Sequence, residues 1–296
     1  MSVSAEHITF LGLGAIGLPM ALRMQRAGFN VTGVDPFPDP RAHASAEGLA
    51  TEESPLSAET AATVIVMVAD GAQLAQALDG DMQTGAPPLL TLMSPGSVLI
   101  IMSTVGPDAV RLASTRAEEF GIVVLDVPVT GGIAGVLNGT LRLLASGARH
   151  VLESRRNVLE SLGTVIECGE RIGDGQSFKA VNQLLCAVHI VAAAEALTLA
   201  DRLGLDQKAV LEAMTSGAAD SWMLGDRGPR MLEGLDTRVA SAVGIFVKDT
   251  ALVTEVADAL DIDLAVLPVA AQKFAEAAKL GHLRRDDSQV IRTYDS

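Results

Sequence analysis

The feature that most constrains the fold is a glycine-rich loop between an apolar run and a helical pattern, near the start of the chain. The loop is Gly12-Leu13-Gly14-Ala15-Ile16-Gly17, and it directly follows the apolar segment 8–11. Between a strand and a helix, a loop with this spacing can bring backbone N–H groups and the helix N-terminus against a pyrophosphate. The three glycines would permit, in order, the tight turn, close approach of the ligand and packing of the helix on the strand. The pattern predicts a dinucleotide-binding site.

An acidic residue follows the next apolar run at the position where a ribose would lie. Residues 30–34 predict a strand that ends at Asp35, 18 residues after Gly17. A carboxylate there can accept hydrogen bonds from the adenosine ribose hydroxyls and repels a 2′-phosphate. No arginine follows directly, since Arg41 is six residues on, past three prolines. We therefore predict NAD rather than NADP; in the alternative interpretation, Asp35 merely begins a turn with Pro36.

The first half of the chain alternates short apolar runs with helical patterns, which is typical of βαβ units and a parallel sheet. A first helix is expected from about residue 16 to Gly28, and the stretch from Pro36 to Pro40 is expected to be a loop. The nearly continuous apolar character of the runs indicates strands that are buried on both faces. These strands are predicted at residues 8–11, 30–34, 63–68, 98–102, 122–125, 141–145 and 164–167.

The second half of the chain has only helical patterns. After Gly173-Asp174-Gly175 a long helix is predicted from 176 to about 203, and further helices at 207–215, 245–260 and 267–280. The sequence thus predicts a Rossmann-type, doubly wound α/β domain joined by a long helix to an all-α C-terminal domain. We divide the chain into an NAD-binding domain, 1–172, and a substrate and oligomerisation domain, 173–296. The long helix is apolar around much of its circumference, which predicts burial between domains or subunits and a homodimer or homotetramer.

Charge and composition exclude several classes of partner. A formal net charge of −14 argues against binding to nucleic acid or to an anionic membrane surface. The two cysteines and five histidines have no spacing that indicates a metal site or a disulfide framework. The N-terminal residues lack the basic-then-apolar pattern of a signal peptide, so we expect a cytoplasmic protein.

Four separated segments resemble the β-hydroxyacid dehydrogenase family, which includes 3-hydroxyisobutyrate dehydrogenase and tartronate semialdehyde reductase. They match, in family order, its cofactor signature, its substrate-binding stretch, the start of its catalytic helix and a C-terminal cofactor contact. The segments are residues 10–20, Asp126-Val-Pro-Val-Thr-Gly-Gly132 with Asn138-Gly-Thr-Leu141, Gly175-Gln-Ser-Phe-Lys-Ala-Val-Asn182 and Phe246-Val-Lys-Asp249.

The resemblance implies that Lys179 is the general acid/base of a hydride transfer. It would take the proton of the substrate hydroxyl as hydride leaves for the nicotinamide. We expect Lys179 in the first turn of the long helix, where the positive end of the helix dipole disfavours a cation. That position, together with a bound nicotinamide, predicts a lowered pKa for the lysine. Without the resemblance, a solvated helix lysine would be the default interpretation.

The resemblance also implies roles in substrate binding. The turn Thr130-Gly131-Gly132 can present backbone N–H groups and a hydroxyl to a carboxylate; the commoner family residue at Thr130 is serine. Asn182 and Gln183 follow Lys179 by three and four residues on one helical face. Many members of the family carry asparagine at Gln183. Trp222, in a region that reads as a loop, would line the substrate pocket or serve as an ordinary core or interface tryptophan.

Two further residues are implied as cofactor contacts. Thr104 follows a predicted strand at the sheet edge where ligands bind. Lys248 would approach the nicotinamide end of the cofactor, with Asp249 orienting it. Without the resemblance, Lys248 and Asp249 would be an ordinary charged pair on a helix.

The predicted function is NAD-dependent oxidation of a small hydroxy acid. Within the family, four stretches resemble members that act on four-carbon sugar acids such as L-threonate: Gln183–Ile190, Ser221–Met223, Ile245–Asp249 and Asp286–Ile291. A 3-hydroxyisobutyrate or tartronate semialdehyde enzyme would use the same site. A 6-phosphogluconate enzyme would need a larger C-terminal domain and an arginine cluster, and imine reductases usually lack the lysine. A non-catalytic NAD-binding module, from a different class, would not need Lys179, Asn182 and Lys248 together.

Overall fold

A computed structural model describes residues 6–80 and 85–295 of the chain. Most of the N-terminal segment that we compared with a signal peptide lies outside these residues. The structure divides into two units, the first reaching Lys179 and the second beginning at Ala180.

The first unit is built on a β-sheet, and all seven predicted strands are confirmed. Two short strands, β3 and β7, were not predicted, because two or three residues give no recognisable hydrophobic pattern. The strands in the described residues are β1 His7–Leu11, β2 Asn30–Val34, β3 Ala50–Glu52, β4 Thr63–Val66, β5 Val98–Ile101, β6 Val123–Asp126, β7 Val129–Thr130, β8 Leu141–Ser146 and β9 Gly163–Gly169.

The strand order confirms the Rossmann-type fold. The sheet runs β3-β2-β1-β4-β5-β6-β8-β7, with β9 beside β8. Strands β1 to β6 pair in parallel, whereas β8 is antiparallel to β6 and β7 and parallel to β9. The strand order therefore reverses between β1 and β4: β2 and β3 lie on one side of β1, and β4, β5 and β6 lie on the other. The carboxyl ends of these parallel strands form the edge where such sheets bind ligands.

Both faces of the sheet are buried, as the continuous apolar runs predict. Ile8 and Phe10 belong to one cluster of buried apolar side chains, and their neighbour Leu11 belongs to the other. In the same way Ile100 and Leu99 contribute to opposite clusters, since successive side chains of a strand point to opposite faces. The helices that cover these faces are α1 Gly17–Arg26, α2 Pro38–Ala46, α3 Gly71–Asp79, α4 Leu89–Leu92, α5 Pro107–Glu118, α6 Gly132–Asn138, α7 Arg149–Ser154 and α8 Arg156–Glu160.

The prediction of a loop at Pro36–Pro40 is wrong, because α2 begins at Pro38. Pro38 and Pro40 both lie in its first turn, where the missing N–H costs nothing and the fixed φ suits the helix. Three prolines in five residues therefore mark a helix start here, and not only a loop.

The long helix α9 spans Asp174–Arg202, close to its predicted bounds, and crosses the boundary between the two units. By length and composition it is the one helix of the described residues apolar enough to cross a membrane, but half of its most apolar window is buried. The core helix of a soluble protein has the same character. Four of its large apolar side chains are exposed: Phe178, Val181, Leu185 and Leu199.

The second unit is helical, as predicted, and has its own cluster of buried apolar residues. Its further helices are α10 Gln207–Thr215, α11 Trp222–Glu233, α12 Val243–Asp258 and α13 Leu267–Ala277, and a 3-10 segment spans Asp287–Tyr294. Helix α11 contradicts the prediction that Trp222 lies in a loop. Gly228 and Pro229 lie inside α11 and hid its helical pattern; the glycine is in close contact with Leu211 of α10.

Candidate active site

The three glycines of the loop after β1 have different surroundings. Gly12 has a φ of +95°, and a Cβ there would collide with the carbonyl oxygen of Met67. A Cβ at Gly17 would collide with the carbonyl oxygen of Gly12, so only glycine lets α1 pack this closely on the loop. At Gly14 nothing lies within 4 Å of the Cβ position. The loop is therefore tight on the protein side and open at its middle glycine.

Asp35 holds this loop directly. Its buried carboxylate accepts hydrogen bonds from the backbone N–H groups of Leu13 (2.9 Å) and Phe37 (3.0 Å). Arg41, six residues further along the chain, donates to the carbonyl oxygen of Asp35 (2.7 Å) and pairs with Glu53 (3.2 Å). Helix α2 explains this, because it carries Arg41 back toward the end of β2.

These residues fit NAD. The open side of the loop at Gly14 leaves room for a pyrophosphate beside the start of α1. A carboxylate at the end of β2 stands where the adenosine ribose lies in folds of this kind. The two features lie on the same sheet edge and are joined by the hydrogen bond between Asp35 and Leu13.

The end of β5 contributes Thr104, which is half-buried. Its neighbour Ser103 accepts a hydrogen bond from the N–H of Val68 (2.7 Å), which ties the end of β5 to the residues after β4. Thr104 therefore lies on the same edge as the glycine loop.

The turn Thr130-Gly131-Gly132 connects β7 with α6. Gly131 and Gly132 have φ values of +123° and +62°, which L side chains rarely adopt. No atom lies within 4 Å of the Cβ position of Gly132. The turn can thus present its backbone to a small anion.

Lys179 is buried and is the sixth residue of α9. We expected it in the first turn, but the helix starts at Asp174, so Lys179 lies in the second turn. The helix dipole acts mainly within the first turn, so it disfavours the Lys179 ammonium less than expected.

Sequence reasoning missed a buried polar cluster at the start of α9. It consists of Asp126 at the end of β6, Ser146 at the end of β8 and Gln176 in the first turn of α9, linked by hydrogen bonds. Burial raises the pKa of Asp126, although hydrogen bonds from Gln176, Ser146 and Gly173 oppose the increase. The only sequence signal was an acidic residue directly after an apolar strand, the same pattern that identified Asp35.

In the second unit, four side chains form one polar chain. Asn182 donates to the amide oxygen of Gln183 (2.8 Å), and Gln183 donates to Asp249 through a short hydrogen bond. Asp249 forms an ion pair with Lys248 (2.6 Å). Gln183 and Asp249 are buried, so Asn182 and Lys248 are held at the two ends of a packed link between α9 and α12.

Trp222 is 61% exposed and begins α11, with the hydroxyl of Ser221 capping the helix. The guanidinium of Arg227 lies 5.5 Å from the centroid of its ring. Arg227 also donates three hydrogen bonds to the carboxylate of Asp287, which is fully buried. Trp222 is thus neither a core residue nor part of the polar chain of the second unit.

Metal and thiol chemistry find little support in the described residues. They contain no group of three or more His, Cys, Asp or Glu side chains that could hold a metal ion. Both cysteines are free, and burial, with nearby acidic charges, raises the pKa of the Cys168 thiol to about 11.

Family models match almost the whole chain. Residues 7–172 match the NAD binding domain of 6-phosphogluconate dehydrogenase. Residues 173–294 match a model described as the NAD-binding domain of NADP-dependent 3-hydroxyisobutyrate dehydrogenase.

Individual relatives agree with these models. An L-threonate dehydrogenase from Cupriavidus necator is 35% identical, over 98% of this chain and 96% of its own length. A crystal structure of 3-hydroxyisobutyrate dehydrogenase from Salmonella typhimurium superposes with a TM-score of 0.87 at 32% identity, covering 97% of this chain and 99% of that one. The Mycobacterium tuberculosis 3-hydroxyisobutyrate dehydrogenase with L-serine gives 0.84 at 29% identity, covering 99% and 100%.

Proposed function

This chain belongs to the 3-hydroxyisobutyrate dehydrogenase family and is an NAD-dependent hydroxyacid dehydrogenase, and from that premise we propose that it oxidises a four-carbon sugar acid such as L-threonate. The observation that carries the choice of substrate is the 35% identity to an L-threonate dehydrogenase over 98% of the chain. The second candidate is 3-hydroxyisobutyrate, because the similar protein from Salmonella typhimurium is named a 3-hydroxyisobutyrate dehydrogenase. Tartronate semialdehyde is a further alternative within the same chemistry.

In this proposal the turn at residues 130–132 binds the carboxylate of the substrate. Consecutive backbone N–H groups and the Thr130 hydroxyl suit an anion. The open space at Gly132 supports the assignment, since a small carboxylate needs no side chain to move.

Lys179 removes the proton from the substrate hydroxyl in this proposal. Bound NAD supplies the acceptor for the hydride that leaves the same carbon, so the alcohol becomes a carbonyl. A buried lysine suits the task, because few waters compete for its Nζ. Asn182 binds a further substrate hydroxyl, and Gln183 holds Asn182 and Asp249 in place.

The preference for NAD over NADP rests on Asp35. A 2′-phosphate would approach a buried carboxylate that already accepts two backbone N–H groups. Arg41 does not offset this repulsion, because its guanidinium is engaged by the Asp35 carbonyl and by Glu53. Thr104 and Lys248 are proposed as further cofactor contacts.

A substrate panel separates the candidates. Purified protein is given NAD and, in separate reactions, L-threonate, D-threonate, 3-hydroxyisobutyrate, L-serine and glycerate, and NADH is followed at 340 nm. We expect the highest kcat/KM with L-threonate. A higher kcat/KM with 3-hydroxyisobutyrate would identify that compound, and not L-threonate, as the substrate. NAD binding without turnover of any hydroxy acid would favour a non-catalytic NAD-binding module.

Lys179→Ala should lower kcat by roughly 10²–10⁴-fold, the usual contribution of a general acid/base. NAD affinity should change less than threefold, because the cofactor contacts remain. Lys208→Ala is the matched control, since this lysine lies exposed on α10. Full activity of the Lys179 variant would contradict the mechanism.

We further propose that the domain of residues 1–172 binds NAD, that residues 173–296 contribute substrate contacts and oligomerisation, and that the protein acts in the cytoplasm as a homodimer or homotetramer. The exposed apolar side chains of α9 support the assembly. The two free thiols support a reducing compartment. Light scattering at micromolar concentration should give two or four times the mass of one chain, and a monomer would refute the assembly.

A further inference from the structure

We propose that Gln176 is a positioning residue that fixes the position of Lys179 relative to Thr104. This inference rests on the proposed function. Gln176 has an exposed fraction of 1% and lies in the first turn of α9. It lies in the segment that resembles the start of the catalytic helix, but the proposed reaction gives its side chain no role, and its side-chain partners all lie in the first unit.

The amide of Gln176 uses its full hydrogen-bonding capacity. Its Nε2 donates to the carbonyl oxygen of Ser103 (3.0 Å) and to Oδ1 of Asp126 (2.9 Å). Its Oε1 accepts from the backbone N–H groups of Val105 (3.0 Å) and Gly106 (3.0 Å). Two donors and two acceptor sites are all that a primary amide offers. No other neutral side chain of this length could satisfy both sets of partners.

Asp126 completes the attachment of α9. Its Oδ2 accepts from the N–H groups of Gly173 (3.1 Å) and Gln176 (3.1 Å) and from the hydroxyl of Ser146 (3.0 Å). The carboxylate therefore caps the helix from another element and stabilises the positive end of its dipole. Asp126 fixes the start of α9 to the ends of β6 and β8, and Gln176 fixes it to the end of β5.

Two proposed site residues are tied to this amide. Thr104 lies between Ser103 and Val105, both of which bond to Gln176. Lys179 follows Gln176 by three residues, so it lies on the same side of α9, about 4.5 Å further along the axis. A movement of the helix start would change the distance between the base and the cofactor-binding edge. Misplacement by 1 Å can lower a rate on the order of 10²-fold.

Gln176→Glu is the sharpest test, because it keeps the shape and changes the hydrogen bonding. Ionised, the new carboxyl repels Asp126 and cannot donate; protonated, it can again donate to Asp126 or Ser103 and accept from Val105. We expect kcat at pH 8 to fall on the order of 10²-fold with KM for NAD within threefold. Relative to the wild type, the deficit should shrink as the pH is lowered. Gln207→Glu is the control, since its amide donates to the carbonyl of Leu197 away from this cluster.

A second variant and a cofactor-free readout complete the test. Gln176→Asn keeps the amide but is one methylene shorter, so kcat should again fall while NAD binding persists. In both variants, amide hydrogen exchange without NAD should become faster at residues 173–180 and stay unchanged in β1 and β4. Wild-type kcat in both variants, or a deficit for Gln176→Glu that does not depend on pH, would overturn the proposal. Loss of activity in Lys179→Ala alongside normal Gln176 variants would refute only the positioning role.

Discussion

At the scale of single residues, the site depends on how much space surrounds each backbone position. Gly12 and Gly17 meet carbonyl oxygens where a Cβ would stand, whereas Gly14 faces open space. All three share one motif, yet only the first and last are required by the protein itself. We propose that the middle glycine is required by the ligand, since nothing in the protein lies within 4 Å of its Cβ position.

Gly14→Ala and Gly17→Ala should therefore fail in different ways. Gly14→Ala should weaken NAD binding at least tenfold and change the free energy of unfolding by less than about 0.5 kcal/mol, because the methyl group meets only the pyrophosphate. Gly17→Ala should lower the free energy of unfolding by about 1–3 kcal/mol, because the methyl group meets backbone. Calorimetric titration with NAD and urea unfolding measure the two quantities. Unchanged NAD affinity in Gly14→Ala would place the pyrophosphate elsewhere.

The residues of the glycine loop and Asp35 were predictable, and the buried cluster at the start of α9 was not. Gly12, Gly17 and Asp35 each occur at a fixed distance from an apolar strand, which sequence displays directly. Gln176 depends on partners 50 to 73 residues away in the chain, and no local pattern reveals that its amide is buried. The roles of Lys179 and the other site residues came from resemblance and remain proposals.

At the scale of elements, length and local chemistry decided what could be predicted. The seven predicted strands and the long helix α9 have apolar patterns longer than three residues. Helices α2 and α11 were missed because prolines and glycines obscured their patterns. In α11 the tertiary contacts override local preference: Arg227 on this helix bonds to Asp287 near the C-terminus.

Arg227→Met should destabilise the second unit by about 3–5 kcal/mol, because it leaves the fully buried Asp287 without its main partner. Burial raises the pKa of Asp287, although the positive charge of Arg227 opposes the increase. The ionised form of this carboxyl therefore depends on Arg227 for stabilisation. Urea unfolding measures the loss. Arg171→Met is the control and should cost no more than about 1 kcal/mol, since its ion pair with Asp174 is on the surface.

The double variant Arg227→Met with Asp287→Leu distinguishes an unpaired charge from lost packing. Removing both charges should recover most of the stability, because no buried carboxylate remains without a partner. A double variant as unstable as Arg227→Met alone would contradict this explanation.

At the scale of the whole molecule, the sequence pattern changes from alternating strands and helices in the first half of the chain to helices alone in the second half. This change predicted an α/β domain followed by an all-α domain. A parallel sheet buried on both faces requires apolar strands, and helical patterns between them supply the cover. No local sequence pattern predicts the relation between the two units. The boundary between the units falls after Lys179, within the continuous helix α9.

NAD should raise the thermal stability of the first unit, which carries the glycine loop and Asp35. At a hundred times its dissociation constant, a ligand that binds only the native state stabilises it by about 2.7 kcal/mol. For a unit of this size we expect Tm to rise by roughly 5–10 °C in circular dichroism at 222 nm. Gly14→Ala is the control and should show a smaller shift at the same NAD concentration. An unchanged Tm in the wild type would contradict cofactor binding at the loop.

The placement of Trp222 has a spectroscopic consequence. It is the only tryptophan of the chain and lies at the start of α11, so tryptophan emission reports on the helical unit alone. Its ring is largely exposed, with the Arg227 guanidinium nearby, so its spectrum should respond when α11 unfolds. Heating with and without NAD, followed by emission and by circular dichroism in the same cuvette, would reveal whether the helical unit melts together with the cofactor-binding unit. The protein thus carries its own fluorescent label for domain coupling.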